Sequence, residues 1–136
     1  MKTQTPMKLG QLTANPAELP VPEFDPPDQE WFNITGWGGD NGLPYNESLQ
    51  IAEEKVFNRQ QCADSFRGNL TLRQFCGFGY SEGMNVRLTL GDQGGPAANK
   101  SVLIGISLKP DPNRLDIFTN VGMFVEWIKE IIDTNH

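Results

Sequence analysis

Histidine is almost missing: the one copy is His136, the last of 136 residues. A frayed chain end is expected there, not a catalytic base. Cysteine is nearly as scarce, with Cys62 and Cys76 alone. At most one internal disulfide is possible, and two buried free thiols are the alternative. Basic residues are few. Eleven Lys and Arg face seventeen Asp and Glu, for a net charge of -6. Nucleic acid is excluded as a partner, because binding it rests on clustered basic residues that neutralise phosphates. Long apolar runs are lacking too. Stretches such as Val102-Leu103-Ile104 fall far short of the roughly 20 residues that cross a bilayer, so no membrane helix is expected. Met1-Lys2-Thr3-Gln4-Thr5-Pro6 does not lead into the apolar core of a secretory signal. Taken alone, it gives the chain no route out of the cytosol.

What is present points outward. Asn33-Ile34-Thr35, Asn46-Glu47-Ser48, Asn69-Leu70-Thr71 and Asn99-Lys100-Ser101 all fit the acceptor pattern for N-glycosylation. Four such sites in so short a chain favour an extracellular lineage. Of these, Asn33 is the poorest candidate, because it falls in an expected core strand where a sugar would obstruct pairing.

The length fits one domain. Residues 1–28 hold six of the ten prolines, Pro6, Pro16, Pro20, Pro22, Pro26 and Pro27, and predict an irregular arm. From residue 29 the pattern changes. Trp31 to Gly38 is aromatic and β-branched and closes on glycines, which predicts a strand entering a turn. Leu49 to Phe57 predicts the next strand, its apolar ends flanking Glu53-Glu54-Lys55, with one face in solvent. Asn58 is placed to cap a short helix over Arg59 to Ala63. Ser101 to Leu108 and Asp116 to Val121 read as strands. Phe124, Trp127, Ile128 and Ile131 recur at three- and four-residue spacing, one face of a helix reaching about Asp133. The expected architecture is an all-β domain closed by a C-terminal helix.

The strongest local signal is Gly91-Asp92-Gln93-Gly94-Gly95-Pro96. Its glycines permit a tight turn and a close approach to main-chain amides. The segment resembles the Gly-Asp-Ser-Gly-Gly-Pro loop of the chymotrypsin and trypsin family of serine proteases, with only the serine changed. Other pieces follow in the family's order. Ile34-Thr35-Gly36-Trp37-Gly38 resembles its Thr-Gly-Trp-Gly strand, Leu103-Ile104-Gly105-Ile106 the strand after the nucleophile, and Phe118-Thr119-Asn120-Val121 to Trp127-Ile128 its C-terminal ending. The resemblance implies a trypsin-like antiparallel β-barrel, the second of the family's two, over residues 29–136. It also implies that Cys62 and Cys76 form a disulfide.

The departures bear on chemistry. The resemblance puts Gln93 at the nucleophile position, and a carboxamide is no nucleophile. The family's histidine and aspartate motifs belong to a first barrel that would precede Met1. The amides of Gly91 and Gln93 could still point into a common concavity, an oxyanion loop of Gly91, Asp92, Gln93 and Gly94 kept as a vestige. The specificity pocket is rewritten. Arg87 stands at its base, and Leu108-Lys109-Pro110 replace the segment that pairs with substrate, where proline lacks an amide donor. Two bridges are lost at both ends. Thr89 replaces one cysteine whose partner is also missing after Lys109, and Phe32 and Asn99 occupy the positions of another pair. Asp92 is the one activating residue retained. It either receives a new N-terminal amine, as in active members, or hydrogen-bonds within its own loop.

The resemblance therefore implies a secreted, catalytically inactive protease homologue that binds a protein partner (a protease, zymogen or inhibitor) as a cofactor or decoy in a proteolytic cascade. No cofactor and no metal are expected. A truncated endopeptidase gene product without independent function is the alternative, and an active hydrolase using Ser107 or Thr89 is the third reading.

Overall fold

A computed structural model describes residues 3–10, 14–39, 44–66, 68–79, 88–110 and 115–135. Six antiparallel strands make a closed barrel: β1 (Trp31–Gly36), β2 (Gln50–Phe57), β3 (Gln74–Gly79), β4 (Pro96–Asn99), β5 (Val102–Pro110) and β6 (Leu115–Asn120), in spatial order β1-β2-β3-β6-β5-β4. Helix α1 (Arg59–Phe66) joins β2 to β3, and α2 (Val125–Thr134) ends the chain. Short 3₁₀ turns occupy Leu90–Asp92 and Val121–Phe124. This is the expected barrel and helix.

Strand alternation decides what fills the barrel. Phe32 and Ile34 of β1, Val56 of β2, Phe75 of β3, Ala97 of β4, Ile104 of β5 and Phe118 of β6 form one buried cluster, joined by Leu88. At its centre the Phe75 and Phe118 rings stack at 5.1 Å, and Phe32 meets both edge-on at 5.6 and 5.2 Å. These are favoured offset and T-shaped geometries. Three rings leave no room beside them: a Cβ at Gly77 would strike the Phe32 and Phe118 rings, and one at Gly105 the Phe75 ring. A second cluster holds the disulfide Cys62–Cys76 with Leu115 and Ile117.

Strand β2 has the one solvated face expected of it, carrying Ile51 and Glu53. Ala52, Glu54 and Val56 share the inner face, so Glu54 is fully buried while Leu49 and Ile51 are exposed. The two-residue period of the strand, not residue type, decides which side each takes. Two strands escaped the sequence reading. β3 is glycine-rich and β4, Pro-Ala-Ala-Asn, has no β-branched residue; pairing with their neighbours makes them strands. Asn58 caps α1 as expected, its Oδ1 accepting from Gln61 N at 3.1 Å, though the helix runs three residues further than Ala63.

The proline-rich arm is strapped along the barrel. Glu18 bridges the start of β5, with Glu18 N donating to Ser101 O and Leu103 N to Glu18 O, both at 2.9 Å. Glu23 N donates to Gly122 O, and Phe24 packs on the core. A polar knot holds the middle: Arg59 grips both oxygens of Asp25 and also donates to Gln74 O, while Asn120 Nδ2 donates to Asp25 Oδ1 and Leu72 O. The Asp25 hydrogen bond raises the Arg59 pKa above its ordinary value, and partial burial opposes it. Arg59 therefore stays charged at any working pH.

Candidate functional site

The Gln93 loop is built against the end of β1. Beyond Gly36 the backbone turns through Gly38 and Gly39 with φ of 68° and 94°, a left-handed region that glycine alone enters freely. This brings Gly38 N to 2.8 Å from Asp92 Oδ1. The other oxygen, Oδ2, accepts from Thr89 N at 3.0 Å and from Thr89 Oγ1 at 2.8 Å. Asp92 is thus held by three donors, one from the turn after β1 and two from Thr89 of its own loop. The packing is close: a Cβ on Gly36 would overlap the Asp92 carboxylate, and one on Gly91 the carbonyls of Gly38 and Gly39.

Beyond the 3₁₀ turn the loop lies along β5. Gly94 N donates to Ser107 O at 2.9 Å and Ser107 N to Gly95 O at 2.8 Å. The Gln93 side chain completes this pairing, its Nε2 donating to Leu108 O at 3.1 Å. A carboxamide at this point ties the loop to the strand edge, and its nitrogen pair, delocalised into the carbonyl, is a poor nucleophile.

The oxyanion concavity differs from the expected one. Such a site needs two amides aimed at one point and free to receive developing charge. Here Gly91 N donates to Gly39 O at 3.2 Å and Gln93 N, at a longer 3.4 Å, to Leu90 O. The tight turn over Leu90–Asp92 directs both amides into the protein's own carbonyls. What remains is a shallow cavity of about 370 Å³ formed by Thr35, Gly36, Trp37, Leu49 and the loop from Gly91 to Pro96. Trp37 and Leu49 are more than half exposed on its rim, and the exposed Tyr45 is nearby in sequence.

The remaining candidates divide. Leu108, Lys109 and Pro110 form the far end of β5, with Pro110 opposite Asp116. Arg87 and His136 lie outside the described residues. Of the two possible nucleophiles, Ser107 is only 4% exposed and Thr89 spends its hydroxyl on Asp92. Asp116, fully buried, accepts from Leu88 N at 2.9 Å. Among the described residues no group of three or more His, Cys, Asp or Glu is gathered to hold a metal, and no helix is long and apolar enough to cross a membrane. Sequence reasoning missed the part played by Thr89, treated as a lost cysteine or a spare hydroxyl. The signal was there: Thr-x-x-Asp is a capping-box spacing, and its carboxylate half forms, Thr89 N donating to Asp92 Oδ2, while Asp92 N donates to the Thr89 carbonyl.

Comparison with known proteins agrees with this architecture. The family model described as Trypsin matches residues 1–128. The chain is similar to human "Serine protease 1", 29% identical over 130 residues (91% of this chain, 52% of that one). It is also similar to "Trypsin" of Phaedon cochleariae, 33% identical over 135 residues (92% and 50%). The chain thus spans about half the length of these relatives. Two inactivated protease paralogues of the scabies mite share the fold. S-I1 has a TM-score of 0.79 at 31% identity, and S-D1 a TM-score of 0.84 at 27%; each match covers 96% of this chain and 58% of the other.

Proposed function

Taking as premise that this chain belongs to the trypsin family, we propose that it is a catalytically inactive member, a secreted protein that binds a protease, zymogen or inhibitor instead of cutting peptide bonds. One observation carries the reading: Gln93 replaces the serine and is fastened to Leu108 O, while the Gly91 and Gln93 amides are taken up by Gly39 and Leu90. Nucleophile and oxyanion donors are lost together, the two terms on which acyl transfer most depends. The likeness to the two inactivated mite paralogues supports it, as does the rim of Trp37 and Leu49, whose exposed apolar area suits protein contact. The disulfide Cys62–Cys76 fits an extracellular setting.

The test is peptidase assay of the purified chain on substrates with basic, aromatic and small residues before the scissile bond, alongside labelling by a serine-reactive phosphonate. No turnover and no label are expected. Activity in the pure protein that vanishes in Gln93→Ala would sink the proposal.

A second reading, a truncated product without independent function, draws on α2, where Trp127 is 59% exposed and Ile131 and Ile132 are exposed beside it. An uncovered apolar helix face invites aggregation. A soluble monomer with one cooperative melt would remove that reading.

A further inference from the structure

The four Asn-x-Ser/Thr sites stand in different surroundings. Asn33 lies in the middle of β1, opposite Glu53 of β2 on one side and Ala98 of β4 on the other, and is half-buried. Asn99 Nδ2 donates to Glu30 Oε1 at 2.9 Å, tying β4 to the residue that leads into β1. Asn46 Nδ2 donates to Trp37 O at 3.2 Å, across the rim of the Gln93 cavity. Asn33 thus belongs to a strand, and Asn46 and Asn99 each commit one of their two Nδ2 hydrogens to an exposed contact.

Asn69 is placed otherwise. It is exposed on the loop between α1 and β3, and its side-chain amide makes no hydrogen bond to any described residue. Thr71, two residues on, is exposed on the same loop and turns it back toward β3, its Oγ1 accepting from Arg73 N at 3.2 Å. Beside Asn69 opens a hollow of about 410 Å³ lined by Asn58, Gln60, Ala63, Asp64 and Leu70. Its wall suits a sugar: the Gln60 and Asp64 side chains, paired at 2.9 Å, leave carbonyl and carboxylate oxygens for hydroxyls, and Ala63 and Leu70 give an apolar patch for the acetamido methyl. This hollow shares no lining residue with the Gln93 cavity, so a sugar there leaves the proposed binding rim open.

We infer that Asn69 is the N-glycan acceptor of this chain. In the step, Asn69 Nδ2 forms a bond to the anomeric carbon of a lipid-pyrophosphate-linked oligosaccharide. The carbon–oxygen bond to pyrophosphate breaks, the lipid pyrophosphate leaves, and the amide gives up one proton. The donor is a membrane lipid of the secretory pathway, so the inference rests on the extracellular reading above.

The test secretes the full 136-residue chain from insect cells behind a supplied leader, then compares intact and peptide masses before and after amidase deglycosylation. Supplying the leader separates the two readings: acceptor choice is read in this experiment, and natural export from the glycan state of the protein isolated from its source. The expected result is one occupied site, with Asn69 converted to Asp by the amidase. Asn69→Gln and Thr71→Ala each abolish the sugar mass, Thr71→Ser keeps it, and the triple variant Asn33→Gln, Asn46→Gln, Asn99→Gln keeps it as well. Thr71→Ala leaves Asn69 in place, so a folding defect of the asparagine variant cannot mimic the result. An unmodified wild-type chain, or sugar retained by Asn69→Gln, overturns the inference.

Discussion

Replacing Asp92 by alanine isolates what holds the Gln93 loop. The carboxylate takes three hydrogen bonds, from Gly38 N, Thr89 N and Thr89 Oγ1, at 2.8 to 3.0 Å. A hydrogen bond to a charged group contributes about 1.5–3 kcal/mol, and orphaned donors cost more when water cannot reach them. Asp92 is only half-buried, so water replaces part of what is lost and the total for Asp92→Ala is about 3 kcal/mol. At roughly 4 °C per kcal/mol for a domain of this size the melting temperature falls by about 12 °C. Graded variants sharpen the test. Asp92→Asn keeps one acceptor oxygen but turns an amide donor toward another, for about half the loss. Thr89→Val removes the hydroxyl alone, for about 1 kcal/mol. Thermal melts followed by near-ultraviolet circular dichroism give the order, and amide exchange at Gly38 and Thr89 rises with it. If Asp92→Ala melts within about 2 °C of the wild type, or Thr89→Val costs more than Asp92→Ala, the three-donor account is wrong.

Other perturbations test the rest of the molecule. Phe118→Ala deletes a fully buried ring that touches Phe32 and Phe75 and should cost about 3–5 kcal/mol, read as a lower urea midpoint with an unchanged slope. Reducing Cys62–Cys76, or Cys62→Ala with Cys76→Ala, reopens a link 14 residues apart and should cost about 3 kcal/mol on the chain-entropy model. Arg59→Ala unties the bidentate Asp25 contact at a partly exposed site, so global stability should drop by only about 1 kcal/mol, while limited proteolysis between residues 14 and 30 accelerates. Gly122→Ala should free the same segment, since a Cβ there would overlap the Phe24 backbone.

The barrel was legible where local chemistry and long-range pairing agree. Trp31 to Gly36 and Leu115 to Asn120 carry β-branched and aromatic residues at a strand's spacing, and the Asn58 cap needs only its own neighbours. Legibility failed where a distant partner decides. The alternation of β2 sets Glu54 on the same side as Ala52 and Val56, and pairing with β1 and β3 makes that side the inner one. The loop glycines and Gln93 were found from their order alone. That the Gly91 amide would be occupied was not, because its partner, Gly39 O, belongs to a turn whose path depends on Asp92 reaching Gly38 N. The apolar spacing of α2 correctly gave a helix, but a periodic stripe says only that a face is apolar. Trp127 and Ile131 remain exposed.

The barrel's circumference is unevenly fastened. β1 meets β2 through six residue pairs and β4 through two, Asn33 with Ala98 and Ile34 with Ala97. Of the paired strands, β1 and β4 are the farthest apart in sequence, Asn33 lying against Ala98, so they meet at the greatest loop-closure cost, and they do so across the shortest ladder. On that count β1–β4 is the zip fastener of the barrel, the join expected to shut last and to open first. Its free end is Pro96, the residue where the Gln93 loop passes into β4. A partner gripping the loop would pull on the fastener, and its arrival would be felt at Asn33 and Ile34 on the far side of the join.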